Sequence, residues 1–129
     1  MTYIVDTHSL IWLLETNRRL SPRAREALKD QAATMVIPTI VLADIAFLAS
    51  RGRIGTDLPR VFAHISGAAN CVVYPFDETV LKHLPTALEI HDAIIVATAL
   101  VLRDAQPEPV SVVTKDKEIA TSGLVGVIW

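Results

Sequence analysis

The chain has 129 residues, of which 51% are hydrophobic and 20% charged, and its formal net charge is −2. Mean hydropathy is +0.40 and the pI is about 6.0. Disorder needs low hydrophobicity and high charge, so it is excluded, and a disulfide framework is excluded because Cys71 is the only cysteine.

At this length one domain, residues 1–129, is expected, burying roughly two-thirds of the surface its unfolded form exposes. Cys71 adjoins Val72 and Val73 and reads as a buried, inert thiol in a reducing compartment, which fits a cytoplasmic protein. No membrane span is expected. The longest apolar stretch, Met35 to Ala49, is interrupted by Pro38 and Asp44, and a span needs about 20 apolar residues. The opening Met1-Thr2-Tyr3 has no basic segment, so no signal peptide is expected. The mild negative charge argues against bulk electrostatic binding of nucleic acid, although it leaves room for a local basic rim.

Five short runs rich in β-branched residues read as strands, in chain order Tyr3–Val5, Met35–Ile37, Cys71–Tyr74, Val110–Val113 and Val125–Ile128. They are apolar at successive positions, as strands covered on both faces must be. Helical segments lie between them. Ser9 to Glu15 follows the first strand. Ser21-Pro22 opens a helix to Ala32 with a cap and a proline at the first helical position. Thr39 to Ser50 is mostly apolar. Asp57 opens a helix to about Ser66, Asp77 one to His83, Asp92 one to Arg103 and Asp116 a short one to Ala120. The alternation predicts a three-layer α/β/α sandwich with a mainly parallel five-stranded sheet. Ligands of such sheets bind beyond the carboxyl ends of the strands, so the residues just after each strand come next.

Strand one ends in Asp6 and strand four leads to Asp116, while Asp92 opens the long apolar helix. Each could simply cap a helix. Asp44 has no such role. It lies mid-helix, and Ile40, Val41, Phe47 and Leu48 share its face. A carboxylate buried there must be paired, protonated or metal-bound. Together the four aspartates can converge on one side of the sheet, where they repel each other unless cations neutralise them. Oxygen-only ligation suits Mg²⁺ or Mn²⁺, ions that assist hydrolysis of phosphate esters. Thr7 and Thr114 stand beside the aspartates. Their hydroxyls could position a water or a phosphate oxygen, or serve as helix caps.

These segments resemble the PIN-domain family, specifically its VapC-like ribonuclease toxins. Asp6-Thr7-His8-Ser9-Leu10-Ile11-Trp12 is similar to the opening motif of that family, and Leu20-Ser21-Pro22-Arg23-Ala24 to the start of its second helix. Pro38 to Ala46, followed by Arg51-Gly52-Arg53-Ile54, resembles its second acidic segment. Ile90 to Ala99 resembles the third, and Val113 to Ile119 the fourth. The likeness runs in order along the whole chain. It implies a metal-dependent endoribonuclease toxin, usually homodimeric, inhibited by a small antitoxin that fills the active-site groove. It also implies that Asp6, Asp44, Asp92 and Asp116 are the catalytic, metal-coordinating residues. The family usually has Glu where this chain has Asp44, which is shorter by one methylene.

Basic residues cluster at Arg18, Arg19, Arg23 and Arg25, at Arg51 and Arg53, and at Lys115 and Lys117. Lys115 is the best placed to meet an RNA phosphate. His8, His64, His83 and His91 have no transition-metal spacing and read chiefly as partly buried structural imidazoles, although His8 and His91 adjoin proposed site residues. Trp12 reads as packing or an oligomer contact rather than a base-stacking residue, and Trp129 as packing near the last strand. Two alternatives remain. One is a PIN-like module that binds RNA or protein without cutting. The other is a receiver-like or phosphatase domain, which would need a phosphoacceptor carboxylate after strand three, where the chain instead reads Tyr74-Pro75-Phe76.

Overall fold

A computed structural model describes all residues from Met1 to Trp129. The elements follow the order β1 (Thr2–Val5), α1 (Thr7–Leu14), α2 (Pro22–Leu28), β2 (Thr34–Pro38), α3 (Thr39–Ser50), α4 (Leu58–Gly67), β3 (Cys71–Tyr74), α5 (Glu78–Lys82), α6 (Ile90–Ala105), β4 (Val110–Val113), α7 (Lys117–Ser122) and β5 (Gly126–Ile128). All five expected strands form. The strand order is β3-β2-β1-β4-β5 and every pairing is parallel.

The physical reason for the layers is visible in β1. Ile4 and Val5 are adjacent, so their side chains point to opposite faces of the sheet. Both are fully buried, so both faces are covered. The main core joins these residues to Ile37 of β2, to Val41 and Ile45 of α3, and to Val112 and Val113 of β4. A smaller cluster of Val80, Ile94, Ala97 and Val101 locks α5 onto α6. Edge strand β3 departs from the expectation of burial on both faces. Val72 is exposed, because no further strand or helix covers that side of the sheet edge. Cys71 is likewise only partly buried, with Sγ 3.7 Å from Met35 Sδ. Burial still pushes its thiol pKa up, which leaves it a poor nucleophile.

The helix starts follow local capping chemistry. Ser21, Asp57, Asp77 and Asp116 each cap a helix through a side-chain oxygen. Gly123 ends α7 at φ +70°, a left-handed conformation that favours glycine. The long helix begins earlier than expected. Glu89 caps α6, and Asp92 lies in its first turn rather than at the cap. Helix α2 stops at Leu28 rather than Ala32, because Asp30 turns the chain by accepting from the Ala32 N–H at 2.9 Å. No helix is long and apolar enough to cross a membrane.

Ile37 offers a direct test of this core. It is fully buried in the strand next to β1. Ile37→Ala should lower stability by about 2–5 kcal/mol, read as a shift in the urea midpoint with an unchanged m-value.

Candidate active site

From β1 the chain continues to β2 on one side, while β4 lies on the other. This strand-order reversal leaves a crevice beyond the carboxyl ends of β1 and β4, the usual ligand position in such sheets. Val5 and Val113 are register partners, so the residues that follow them, Asp6 and Thr114, emerge side by side. A cavity of about 540 Å³ opens there. Asp6, Asp44, Asp92 and Asp116 all line it, together with Thr7 and Lys115. Thr114 is buried just beneath.

Asp6 is held from two directions. Its Oδ1 accepts from the Ser9 N–H at 2.9 Å, which caps α1, and its Oδ2 accepts from the Thr114 hydroxyl. The Thr114 oxygen also accepts from the Asp116 N–H at 3.0 Å. One buried threonine therefore ties two of the carboxylate-bearing residues together. Burial raises the Asp6 pKa above its ordinary value of 3.8, against the hydrogen bonds from Ser9 and Thr114 and the nearby His8, which favour the charged form. Asp116 Oδ1 caps α7 by accepting from the Glu118 and Ile119 N–H groups at 2.8 and 3.0 Å.

Asp92 is pushed up to about 7. Burial is the largest cause, followed by the charge and hydrogen bond of Asp116 and then by the charges of Glu89 and Asp6. At neutral pH this cleft therefore carries more carboxylates than it can keep ionised without a compensating cation.

Asp44 differs from the sequence expectation. It is half-buried rather than enclosed, and Phe47 on the same helix face is exposed. Of its apolar neighbours, Phe47 and Leu48 line the cleft, whereas Val41 is fully buried in the core. Its Oδ2 accepts from the Thr7 hydroxyl at 2.8 Å, and its Oδ1 lies 3.6 Å from His91 Nε2. His91 Nδ1 in turn stands 3.1 Å from Glu89 Oε1. Thr7 and Thr114 are both buried, and their hydroxyls brace carboxylates.

The sequence reading did not single out Glu89, which caps α6 through the His91 and Asp92 N–H groups and lines the same cavity. Its position three residues before Asp92 is the signal that could have found it. His8 and His91 are exposed and line the cleft, not partly buried as expected. Among the basic residues singled out, Lys115 lines the cavity, and Arg51 packs its guanidinium 3.5 Å from the centre of the Phe47 ring. Arg23 lines a separate depression with Lys29. Asp77 caps α5 by accepting from the Val80 N–H and does not line the cleft. The acceptor position of a receiver-like domain is therefore not filled.

Thr114→Val tests the bracing role. It removes a donor to Asp6 and leaves the Asp116 N–H without its partner. Losing both contacts should cost about 1–3 kcal/mol of stability, read as a shift in the urea midpoint.

The fold and site define an α/β protein with an acidic crevice at the reversal point of a parallel sheet. The PIN domain family model matches residues 3–122, and the chain belongs to that family. Similar solved structures include VapBC2 from Rickettsia felis bound to a DNA fragment from their promoter, with a TM-score of 0.68 and 14% identity, covering 98% of this chain and 97% of that one. A toxin–antitoxin complex from Klebsiella pneumoniae is similar with a TM-score of 0.68 and 20% identity, covering 98% and 96%. VapBC-1 from nontypeable Haemophilus influenzae follows with a TM-score of 0.65 and 15% identity, covering 98% and 96%. No curated protein sequence matches the chain.

Proposed function

We propose that this chain is a divalent-cation-dependent endoribonuclease, hydrolysing RNA phosphodiester bonds, and the toxin half of a toxin–antitoxin pair. The observation that carries this reading is the gathering of Asp6, Asp44, Asp92 and Asp116, from four separate parts of the chain, around one cavity. So anionic a cleft repels a phosphate unless a cation stands in it. The donor set suits a hard ion, Mg²⁺ or Mn²⁺. The fit is one of charge and donor type, since no three ligating side chains already stand as a preformed cage. An ion that keeps several of its waters needs no such cage.

Asp6, Asp44, Asp92 and Asp116 would hold the cation. When bound, it would neutralise phosphate charge and favour attack by water. The chain's own groups do the rest. Ser9 and Thr114 fix the Asp6 carboxylate, and Thr7 fixes Asp44. The Asp44 carboxylate is thus held at the cleft although its side chain is shorter than the usual Glu. Burial and the neighbouring carboxylates favour the protonated form of Asp92 in the cation-free cleft, and a bound cation would favour release of that proton. Lys115 stands at the rim, where it can meet an RNA phosphate.

The similar structures were solved as VapBC or toxin–antitoxin complexes, which supports a small antitoxin as partner. A homodimer and a cytoplasmic location belong to the same reading. The test is cleavage of RNA by purified protein with Mn²⁺ or Mg²⁺, set against EDTA. Metal-dependent cutting is expected, and cutting that persists equally in EDTA would overturn the reading.

A further inference from the structure

The cavity lining combines two chemically different sets of side chains. Carboxylates form one. Trp12, Phe47, Leu48 and Ile95 form the other. The spacing explains how both arise from the same helices. Phe47 and Leu48 follow Asp44 by three and four residues, Ile95 follows Asp92 by three, and Trp12 follows His8 by four. Each apolar side chain therefore sits about one helical turn, ~5 Å, from a polar one on the same face.

We propose that Trp12 and Phe47 form a nucleobase subsite, which takes one unpaired base of a single-stranded RNA while the adjoining phosphodiester lies at the carboxylates. This rests on the nuclease reading above and names the part of the substrate that the reading leaves open. Chain continuity is the first argument. A phosphodiester placed at the carboxylates carries a nucleoside on either side, and the apolar side chains stand only about one helical turn, ~5 Å, from polar ones that line the same cavity. The rings themselves are the second. Phe47 is 52% exposed and lines the same cavity as the carboxylates, so its ring is open to a base that stacks on it. Arg51 packs 3.5 Å from its ring centre, stiffening the ring and bringing positive charge beside a site that must admit phosphates. Trp12 is held by His8, with ring centres 5.6 Å apart, and by the edge-on Trp129 at 5.9 Å. Rings fixed in this way lose little entropy when a base stacks on them, and stacking tolerates any base. A duplex keeps its bases in its own stack and cannot offer one.

The test compares Phe47→Ala and Trp12→Leu with wild type on a short single-stranded RNA in Mn²⁺. Phe47→Ala removes an exposed ring and leaves the core intact. Each variant should raise KM by roughly 5- to 100-fold, the range set by stacking one base, with kcat within about twofold of wild type by the same reasoning. A second readout uses Trp129→Phe, which leaves Trp12 as the sole fluorescent indole. Adenosine 5′-monophosphate should quench it and ribose 5-phosphate should not. Wild-type protein that cuts no RNA would overturn the nuclease reading, and the subsite with it. Cutting with unchanged KM in both variants would overturn the subsite alone. Variants that keep their KM but lose a protein partner would assign these side chains to that partner and also overturn it.

Discussion

Asp92→Asn should make the metal-free protein more stable at pH 7.5 and at the same time lower RNA cleavage by at least about 100-fold. The sign follows from the raised pKa. Asp92 moves from 3.8 to about 7 on folding, through burial first and then the neighbouring Asp116. The folded state thus binds this proton more tightly than the unfolded state. Its contribution to stability is greatest below pH 4 and declines as the pH rises towards 7. Asp6 is shifted in the same direction by burial and adds to the decline. Asn imitates the protonated carboxyl and escapes it. Because Asp92 retains solvent contact, screening reduces the effect to about 1–2 kcal/mol, or roughly 3–8 °C in Tm. Scanning calorimetry in EDTA at pH 4.5 and 7.5 checks this. Wild type should lose more stability between the two pH values than Asp92→Asn does, and equal losses would show that Asp92 titrates normally. A variant that gains stability while losing activity is the signature of a charge kept for function.

Asp6→Asn should abolish cleavage to the same degree, by at least about 100-fold, with little change in fold. The amide oxygen of Asn can still accept from the Ser9 N–H, so the α1 cap survives. The Thr114 hydroxyl that donates to the second carboxylate oxygen can rotate and accept from the new amide instead. What disappears is the negative charge at the end of the central strand. Kinetics on a labelled RNA measure the loss, and a thermal melt within a few degrees of wild type shows that the loss is chemical rather than structural.

Much of this architecture could be read from residue patterns because burial and patterning agree there. The β-branched runs from Tyr3 and Val110 are covered on both faces, so nothing competes with their strand signal. Asp6 and Asp116 could be placed because the ends of adjacent parallel strands converge, and Asp44 and Asp92 because helices α3 and α6 begin at that same end of the sheet. What could not be read depends on tertiary position. Asp44 has apolar neighbours at helical spacing, and such spacing cannot tell a closed core from the apolar wall of a cleft. Here Val41 belongs to the core, and Phe47 and Leu48 belong to the cleft. The start of α6 is hard to read because Glu is a weaker capping signal than the Asp92 that follows it, yet Glu89 provides the cap. The roles of Thr7 and Thr114 as braces depend on contacts with Asp44 and Asp6 that are distant in sequence. His91 pointed in advance to a structural imidazole, but it stands in the cleft between Glu89 and Asp44.

The central claim is that four carboxylates from separate parts of the chain act as one cation site. Calorimetric titration of purified protein with Mn²⁺ tests it most directly, with Asp6→Asn, Asp44→Asn, Asp92→Asn and Asp116→Asn measured alongside. Saturable binding by wild type, weakened in every one of the four variants, is the predicted result. No binding at millimolar Mn²⁺, or binding that ignores the loss of Asp44, would contradict it.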